Sequence, residues 1–377
     1  MKLALVRQKY TPYGGAERFM ARAVSALRES GTDVTVVARE WQGDQPGRDF
    51  IRCNPFYLGR TWRDAGFAKC VQEIIAGGAF DLLQSHERIP GCQIYRAGDG
   101  VHATWLELRG RVQSPLARLG ISLQPWHRYT LAAEAAMFRH PDLKAVICNS
   151  RMVRDDIATR FGVAHEKLHV IHNGVDLESF HPDLCRMHRQ RIRKELDIPP
   201  NAPLLLFVGS GFERKGLPQL LEAFALLEQR DARLIVVGRD RQAPALRQRA
   251  QQLGIGMRVH FVGGQTDVRP FYGAADVFAL PTLYDPFPNA VLEAMACGLP
   301  VVTSTTSGAA ELIRAAENGF AVDALNIEAL AQSLAAVISA GESMAAAARA
   351  TAQALPISAT AENLLVLYRS LMQSGRL

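Results

Sequence analysis

Short apolar runs alternate with longer helical patterns along this chain of 377 residues, and this alternation constrains the fold more than any other feature. The runs are rich in Val, Ile, Leu and Ala, as strands buried on both faces of a parallel sheet are. The stretches between them place apolar residues at helical spacing, as in Leu217–Glu228. The predicted strands are Lys2–Val6, Asp33–Ala38, Asp81–Ser85, Lys144–Asn149, Pro203–Gly209, Arg233–Gly238, Val259–Val262, Val277–Pro281 and Val301–Ser304. The pattern predicts an α/β fold.

The series of strands and helices occurs twice, which predicts two Rossmann-like domains that face each other. A basic, proline-punctuated segment separates the two series, with a helix expected over Cys185–Leu196. We therefore expect an N-terminal domain over residues 1–181 and a C-terminal domain over residues 182–358. An amphipathic helix over Ala359–Met372 is expected to end the chain.

Composition indicates where the protein is located in the cell and which kinds of partner it can bind. No apolar run approaches the ~20 residues needed to cross a bilayer, so a cytoplasmic protein is expected. The six cysteines show no CxxC pairing, and we expect all of them to be reduced. Most of the net charge of +6 lies in residues 1–180, and such a basic face suits nucleic acid, anionic lipid or an acidic substrate. The chain contains no nucleic-acid-binding fingerprint, which disfavours the first of these.

The segment from Asp285 to Glu293 carries the most specific chemical signal. Its two carboxylates bracket a turn that leads into a helix beginning near Pro288 or Asn289. A helix start offers backbone N–H groups to an anion, while carboxylates on either side of it accept hydrogen bonds from hydroxyls. This combination predicts a site for a nucleotide sugar.

A second segment, Gly209–Gly216, follows the first predicted strand of the second half. Arg214 and Lys215 stand between glycines at a strand end, where α/β proteins bind ligands. A guanidinium and an ammonium at this place suit a pyrophosphate and its developing charge. The alternative is a solvated pair of charges without a ligand.

Three features of the first half are further candidates for a ligand site, because they follow predicted strands or lie in a glycine-flanked loop. Gly14 and Gly15 lie between the first strand and a helix, where they bring backbone close to a ligand or form an ordinary turn. His86 follows the strand Asp81–Ser85, where it would either contact a ligand or serve as a packed or capping residue. Asp99 occupies a glycine-flanked loop, with a role at the site or in a turn.

The stretch Trp105–Tyr129 interleaves aromatic, aliphatic and basic side chains, with Glu107 as its only acid. This composition suits the interface of an anionic membrane. A surface helix whose apolar side packs on the protein core has the same composition.

The chain resembles the family 4 retaining glycosyltransferases of the GT-B fold, and more closely the lipopolysaccharide core glucosyltransferases within that family. The resemblance extends over nearly the whole chain. It is carried by Tyr10-Thr-Pro-Tyr-Gly-Gly15, Ala97-Gly-Asp-Gly100, Arg214-Lys-Gly216 and Asp285 through Pro300. It implies two facing Rossmann-like domains with a cleft between them and a C-terminal helix, residues 359–377, that crosses back to the first domain.

The resemblance also assigns roles to the donor-side residues. Glu293 would bind the ribose hydroxyls, and Arg214 and Lys215 would hold the pyrophosphate and act in catalysis. Gly15, with Gly14, would offer backbone N–H groups to the donor phosphate. Two further catalytic candidates are His86, near the donor sugar, and Asp99, near the acceptor.

Two positions of the donor motif depart from the family pattern. Asp285 stands where the family's motif has Glu, so its reach to the sugar is one methylene shorter. Pro288 removes one backbone N–H from the helix start, while Phe287, Asn289 and Ala290 keep theirs.

The resemblance implies transfer of a hexose, with retention and without a metal or other cofactor, from UDP-glucose to a heptose of the lipopolysaccharide core. The expected partners are the nucleotide sugar, a glycolipid acceptor and an anionic membrane, with the protein peripheral on the inner face of the inner membrane. The alternatives are another nucleotide-sugar-dependent transferase, a GT-B nucleotide-sugar 2-epimerase, or a non-catalytic nucleotide-sugar-binding protein.

Overall fold

The chain divides into two compact units in the computed structural model, which describes residues 1–10, 28, 31–41 and 50–374. Unit 1 contains residues 1–173 and 358–377, and unit 2 contains residues 174–357. The chain therefore passes from unit 1 to unit 2 and returns near its end.

Unit 1 begins with short strands and ends with a helix from the far end of the chain. Its strands are β1 (Lys2–Val6), β2 (Lys9–Tyr10), β3 (Asp33–Ala38), β4 (Glu40–Trp41), β5 (Phe50–Arg52), β6 (Leu82–Ser85), β7 (Ile94–Arg96), β8 (Ala145–Cys148) and β9 (Leu168–Val170). Its described helices are α1 (Gly59–Ala76), α2 (His102–Gly110), α3 (Pro115–Ser122), α4 (Pro125–Phe138) and α5 (Arg151–Phe161), with a 3₁₀ turn at His165–Lys167.

Parallel pairing orders the main sheet of unit 1 as β5-β3-β1-β6-β7-β8-β9 among the described strands. The register of β1 is fixed on both sides, where Leu3 pairs with Val34 of β3 and with Leu82 of β6. The strand order reverses between β1 and β6, and such a switch point opens a crevice at the carboxyl ends of the strands.

Unit 2 repeats the alternation of strands and helices. Its strands are β10 (Leu204–Val208), β11 (Arg233–Val237), β12 (Val259–Gly263), β13 (Val277–Leu280), β14 (Val301–Ser304) and β15 (Gly319–Val322). Its helices are α6 (Leu184–Glu195), α7 (Leu217–Leu226), α8 (Ala243–Gln252), α9 (Arg269–Ala274), α10 (Asn289–Ala296) and α11 (Ile327–Gln353), with 3₁₀ turns at Gly256–Arg258 and Gly308–Leu312.

The described strands of unit 2 pair in the parallel order β12-β11-β10-β13-β14-β15. This is the order of a dinucleotide-binding Rossmann sheet, with its switch point between β10 and β13. The four central strands β11, β10, β13 and β14 are buried on both faces, and α7 packs Leu220, Leu221 and Phe224 into the same core. The two parallel sheets confirm the predicted α/β class and its Rossmann-like domains.

The last helix, α12 (Ile357–Ser374), belongs to unit 1 although the helix before it belongs to unit 2. Its buried face carries Leu364, Leu367 and Tyr368, and Thr360 donates a hydrogen bond to the carbonyl oxygen of His172 at 3.2 Å. The predicted terminal helix is therefore present, and these side chains pack within unit 1.

The prediction that every cysteine is reduced is wrong for one pair. Cys53, just after β5, and Cys70, on α1, form a disulfide with their Cα atoms 6.1 Å apart. That separation is within the range that a disulfide spans. Because the two cysteines are 17 residues apart in sequence, the spacing carries no CxxC signal, and only the packing of α1 beside β5 brings them together.

Candidate functional site

Two loops of unit 2 meet at the switch point between β10 and β13. One is the predicted phosphate loop, residues 209–216 after β10, and the other is the loop 281–288, which leads from β13 into α10. Because both strands are parallel, both loops leave the carboxyl edge of the sheet, where Rossmann domains hold their ligands.

Backbone contacts hold these two loops together. The carbonyl oxygen of Arg214 accepts hydrogen bonds from the backbone N–H of Leu283 and the hydroxyl of Thr282, both at 2.8 Å. Gly216 has a φ of +74°, and a Cβ at this position would overlap the carbonyl oxygen of Pro281. The glycine is therefore required by both its backbone conformation and the closeness of the second loop.

Lys215 and Asp285 form an ion pair across the two loops. Their side chains are 14% and 7% exposed, so the pair is largely removed from water. The backbone of Asp285 is fixed by hydrogen bonds to Thr306 and Gly308, in the segment after β14. The structure thus brings together the predicted phosphate lysine and the first acid of the motif.

The second acid of the motif, Glu293, lies one turn inside α10. Its Oε2 accepts a hydrogen bond of 2.9 Å from the hydroxyl of Tyr272, on α9. Burial, and then the nearby Glu293 carboxylate, raise the pKa of Cys297 far above its usual value. The hydroxyl of Tyr272 on α9 therefore orients Glu293, whereas Asp285 is held by its ion pair with Lys215.

The start of α10 lies between the two acids. Its N-cap residue, Pro288, makes no side-chain cap, and the N–H groups of a helix start can bind an anion. Phe287 is buried, whereas Asn289 and Ala290 are partly exposed. Arg214, which is partly buried, and Lys215 add positive charge at the same edge of the sheet. This edge therefore combines donors and cations for phosphate with carboxylates for hydroxyls.

A second candidate site lies within unit 1, again at the carboxyl ends of strands beside a switch point. It is a cavity of about 90 Å³. Its lining contains the predicted residues His86 and Asp99 and further residues that were not predicted as site residues, which are Arg7, Glu87, Arg96, Gly98, Asn149 and Asn173.

The cavity places cations, carboxylates and a neutral imidazole side by side. Burial, and then the charges of Arg7 and Arg96, hold the pKa of His86 well below its usual value, so the ring is neutral. Burial, together with the nearby Asp99 carboxylate, raises the pKa of Glu87, whose carboxylate accepts a hydrogen bond from the Gln8 backbone. Such a mixture suits a ligand rich in hydroxyl groups.

Two further cavity residues have well-defined partners. Arg96 donates to Oδ1 of Asn173 at 2.8 Å, and burial lowers the pKa of this guanidinium to about 10. Asn149 is 2% exposed, and its Oδ1 accepts no hydrogen bond from any described residue. A buried polar atom of this kind is usually hydrogen-bonded, so this oxygen can accept a hydrogen bond from a ligand.

The loop that carries Asp99 is supported from behind by a buried carboxylate. Glu134, on α4, accepts hydrogen bonds from Arg88 and from the backbone N–H of His102, both at 2.8 Å. Arg88 also donates to the carbonyl oxygen of Gly100 at 2.9 Å. Nε2 of His102 lies 2.9 Å from Nδ1 of the stacked His127 ring.

The stretch Trp105–Tyr129 folds into parts of α2, α3 and α4, which pack in different ways. None of the residues of α3, all of them described, is buried, and Leu116 is 82% exposed. Trp126 in α4 instead donates a hydrogen bond to Asp64 at 2.7 Å. The interpretation of a helix packed on the core is therefore wrong for α3.

Gly14 and Gly15 lie outside the described residues. Within the described ranges, no three His, Cys, Asp or Glu side chains cluster as metal ligands would. No helix in the same part of the chain combines the length and the apolar character that a bilayer crossing requires.

Two Rossmann-like units, one with cations, a helix start and two carboxylates at its switch point, define a protein of the nucleotide-binding α/β class. Residues 13–179 match the family model for Glycosyltransferase Family 4, and residues 188–354 match that for Glycosyl transferases group 1. The chain belongs to the family 4, or group 1, glycosyltransferases, and it is a hexosyltransferase of the GT-B fold class.

Named relatives narrow the similarity further. The chain is 28% identical to the lipopolysaccharide glucosyltransferase WaaG of Escherichia coli K12, over 85% of this chain and 84% of WaaG. It is also 28% identical to LpsE of Rhizobium meliloti, a lipopolysaccharide core biosynthesis glycosyltransferase, over 86% of each. A crystal structure of WaaG superimposes with a TM-score of 0.80 at 27% identity, covering 96% of this chain and 98% of WaaG.

Proposed function

We propose that this enzyme transfers glucose from UDP-glucose to a heptose of the lipopolysaccharide core, with retention of the anomeric configuration. The ion-paired loops at the switch point of unit 2 carry the proposal, because they put phosphate-binding and hydroxyl-binding groups at one edge. The names of WaaG and LpsE support the sugar and the class of acceptor.

The donor binds mainly to unit 2. Arg214, Lys215 and the first N–H groups of α10 hold the pyrophosphate, and Glu293 accepts hydrogen bonds from the ribose hydroxyls. Asp285 accepts hydrogen bonds from the glucose hydroxyls once the diphosphate competes for Lys215.

The acceptor binds to unit 1, with His86 and Asp99 at the reacting groups. The bond from the anomeric carbon to the diphosphate oxygen breaks while the acceptor oxygen bonds to that carbon on the same face, and the acceptor proton passes to the departing diphosphate. Arg214 and Lys215 stabilise the developing negative charge, so no metal ion is required.

The direct test is UDP release across a panel of nucleotide sugars, with and without a heptose-containing core oligosaccharide, in buffer with and without EDTA. We expect UDP-glucose to be preferred, release to require the acceptor, EDTA to have no effect, and NMR to show a retained linkage. Another preferred sugar or acceptor would make this a different transferase. Conversion of the nucleotide sugar without acceptor would indicate an epimerase, and an inverted product would contradict the mechanism.

We also propose that the enzyme works at the cytoplasmic face of the inner membrane, as a peripheral protein. Two leucines of α3, Leu116 and Leu119, are exposed beside basic residues such as Arg111 and Arg118. An exposed apolar helix flanked by cations suits the interface of an anionic membrane. A glycolipid acceptor is presented at such a surface.

Cosedimentation with vesicles that contain anionic lipid tests this location. The double variant Leu116→Ser and Leu119→Ser should bind several-fold more weakly, and added salt should weaken binding of the wild type. Met257→Ser is the matched control, because Met257 is a 91% exposed apolar side chain of unit 2. Equal binding of the wild type and the α3 variant would contradict the assignment.

A further inference from the structure

A chain of hydrogen bonds leads from the last helix of the protein to the cavity of unit 1. The hydroxyl of Tyr368, on α12, lies 2.5 Å from Oε1 of Gln84, on β6. Nε2 of the same Gln84 side chain lies 3.1 Å from Nε2 of His86. Tyr368 is 1% exposed and Gln84 is 3% exposed, so water does not compete for these bonds.

The chemistry of the groups fixes the direction of each bond. A carboxamide oxygen only accepts, so Tyr368 donates to Gln84, and a carboxamide nitrogen only donates, so Nε2 of His86 accepts. Burial raises the pKa of Tyr368 and keeps its hydroxyl protonated. Because the His86 ring is neutral, a ring that accepts at Nε2 carries its proton at Nδ1.

The reverse orientation of the Gln84 amide is disfavoured. It would offer a nitrogen to Tyr368, whose own proton would then have no acceptor among the described residues. An unpaired donor at a position this buried is costly, on the order of 1–3 kcal/mol. Tyr368 therefore selects the amide orientation, and the amide selects the tautomer of His86.

We infer that Tyr368 and Gln84 are positioning residues that lock His86 as its Nδ1–H tautomer. His86 then acts in the cavity as a hydrogen-bond donor to an oxygen of a sugar, and not as a base that takes a proton. The assignment of a sugar to the cavity rests on the proposed function, whereas the tautomer does not.

The inference gives α12 a role at the site. Its leucines pack the helix onto the rest of unit 1. The hydroxyl of Tyr368 determines which ring nitrogen of His86, the residue directly after β6, carries the proton. The end of the chain thereby controls hydrogen bonding at a cavity formed by its first half.

Nitrogen-15 NMR of histidine-labelled protein, without substrate, tests the tautomer directly. The wild type should show a protonated Nδ1 and a bare Nε2 for His86, whose signals are identified by their loss in His86→Gln. Tyr368→Phe should shift the population towards the Nε2–H form. Tyr95→Phe is the matched control, because the buried Tyr95 hydroxyl has no hydrogen-bond partner among the residues that the structure describes.

Gln84→Glu provides a second variant, which should also move the proton of His86 away from Nδ1. A carboxylate accepts from both neighbours, so the proton of His86 should move to Nε2. A wild-type ring protonated at Nε2, or a ring that keeps its Nδ1 proton in Gln84→Glu, would overturn the inference. The wild-type spectrum decides even where a variant fails to fold.

Kinetics separate positioning from a merely structural effect. In Tyr368→Phe, transfer at saturating donor should fall about tenfold, as for one lost hydrogen bond, while the Kd for UDP, held on unit 2, stays within twofold. Equal transfer by Tyr368→Phe and Tyr95→Phe would overturn the role at the site. If the nucleotide-sugar panel shows no transfer at all, the proposed function fails and the tautomer result stands separately.

Discussion

At the scale of single residues, the two acids of the donor motif are held in different ways. Asp285 is paired with Lys215 and fixed by its backbone, whereas Glu293 is oriented by a tyrosine hydroxyl on another helix. Removing one member of a buried pair leaves the other charge uncompensated. We therefore expect a substitution in the Asp285–Lys215 pair to change both the stability of the protein and donor binding. A substitution of Glu293 should affect stability less.

Variants of the ion pair test this coupling. Lys215→Ala should lower kcat/KM for the nucleotide sugar by about 10²–10³, and it should also destabilise the protein by about 3 kcal/mol because Asp285 loses its partner. The double variant Lys215→Ala with Asp285→Asn should recover much of the stability and none of the activity. Lys194→Ala, which changes an exposed lysine on α6, is the control for both measurements.

Thermal or urea denaturation measures the stability, and UDP release measures the activity. Recovery of activity in the double variant would show that Lys215 serves only to neutralise Asp285.

The neutral histidines of unit 1 predict a dependence of stability on pH. Burial, followed by Arg88 and His127, lowers the pKa of His102 to about 3, below the value of about 6.5 for an unfolded chain. The folded state therefore binds fewer protons, so this stability is complete above pH 6.5 and is lost as pH falls towards 3. His102 alone contributes a slope of up to about 1.4 kcal/mol per pH unit in that window.

Urea denaturation between pH 7 and pH 5 measures the slope. His102→Leu should flatten it, and His165→Gln, at an exposed histidine, should leave it unchanged. An unaltered slope in His102→Leu would show that this ring is not the group responsible.

At the scale of elements, the contact between the loops after β10 and β13 shapes the donor site. Gly216 and Gly211 both have positive φ, but only Gly216 lies against backbone of the other loop. Gly211→Ala should lower the free energy of unfolding by about 1 kcal/mol, because alanine is strained in the left-handed conformation. Gly216→Ala should lower the free energy of unfolding clearly more than Gly211→Ala does. It should also weaken donor binding, because Pro281 must move to make room for the Cβ atom.

The two alanine variants can be compared by their urea midpoints and their affinities for UDP. Equal costs would mean that the contact between the loops contributes nothing beyond the backbone conformation.

The sequence predicted the longer elements well and the convergent polar residues poorly. Nine predicted strands are present within a residue or two, because each is a continuous apolar run. Strands β2, β4, β5, β7, β9 and β15 were missed, and the first five of these have only two or three residues, too few to show a period. Strand order therefore had to come from the structure.

The cavity of unit 1 shows the consequence of not knowing the strand order. Arg7, Arg96 and Asn149 are single polar residues at or just after the ends of different strands, and no spacing in sequence links them. The donor motif was predictable because its two acids and its helix start lie within nine consecutive residues. Local motifs can be read from sequence, whereas sites assembled by sheet topology cannot.

At the scale of the whole molecule, each of the two units has a candidate ligand-binding edge at its own switch point. Unit 2 supplies cations, a helix start and carboxylates, and unit 1 supplies a neutral histidine, arginines and an amide oxygen that accepts no hydrogen bond from a described residue. This division agrees with an enzyme that takes a charged nucleotide sugar on one domain and a hydroxyl-bearing acceptor on the other.

The central claim is that unit 2 holds the nucleotide through Glu293 and its neighbours. Titration calorimetry of UDP against the wild type and Glu293→Gln tests it directly, because the two side chains have the same shape and differ in charge. We predict that Glu293→Gln weakens UDP binding at least about tenfold, as expected for loss of hydrogen bonds to a charged group. Glu222→Gln, at an exposed glutamate of the same unit, should leave binding unchanged. Equal Kd values for UDP in the wild type and Glu293→Gln would contradict the account.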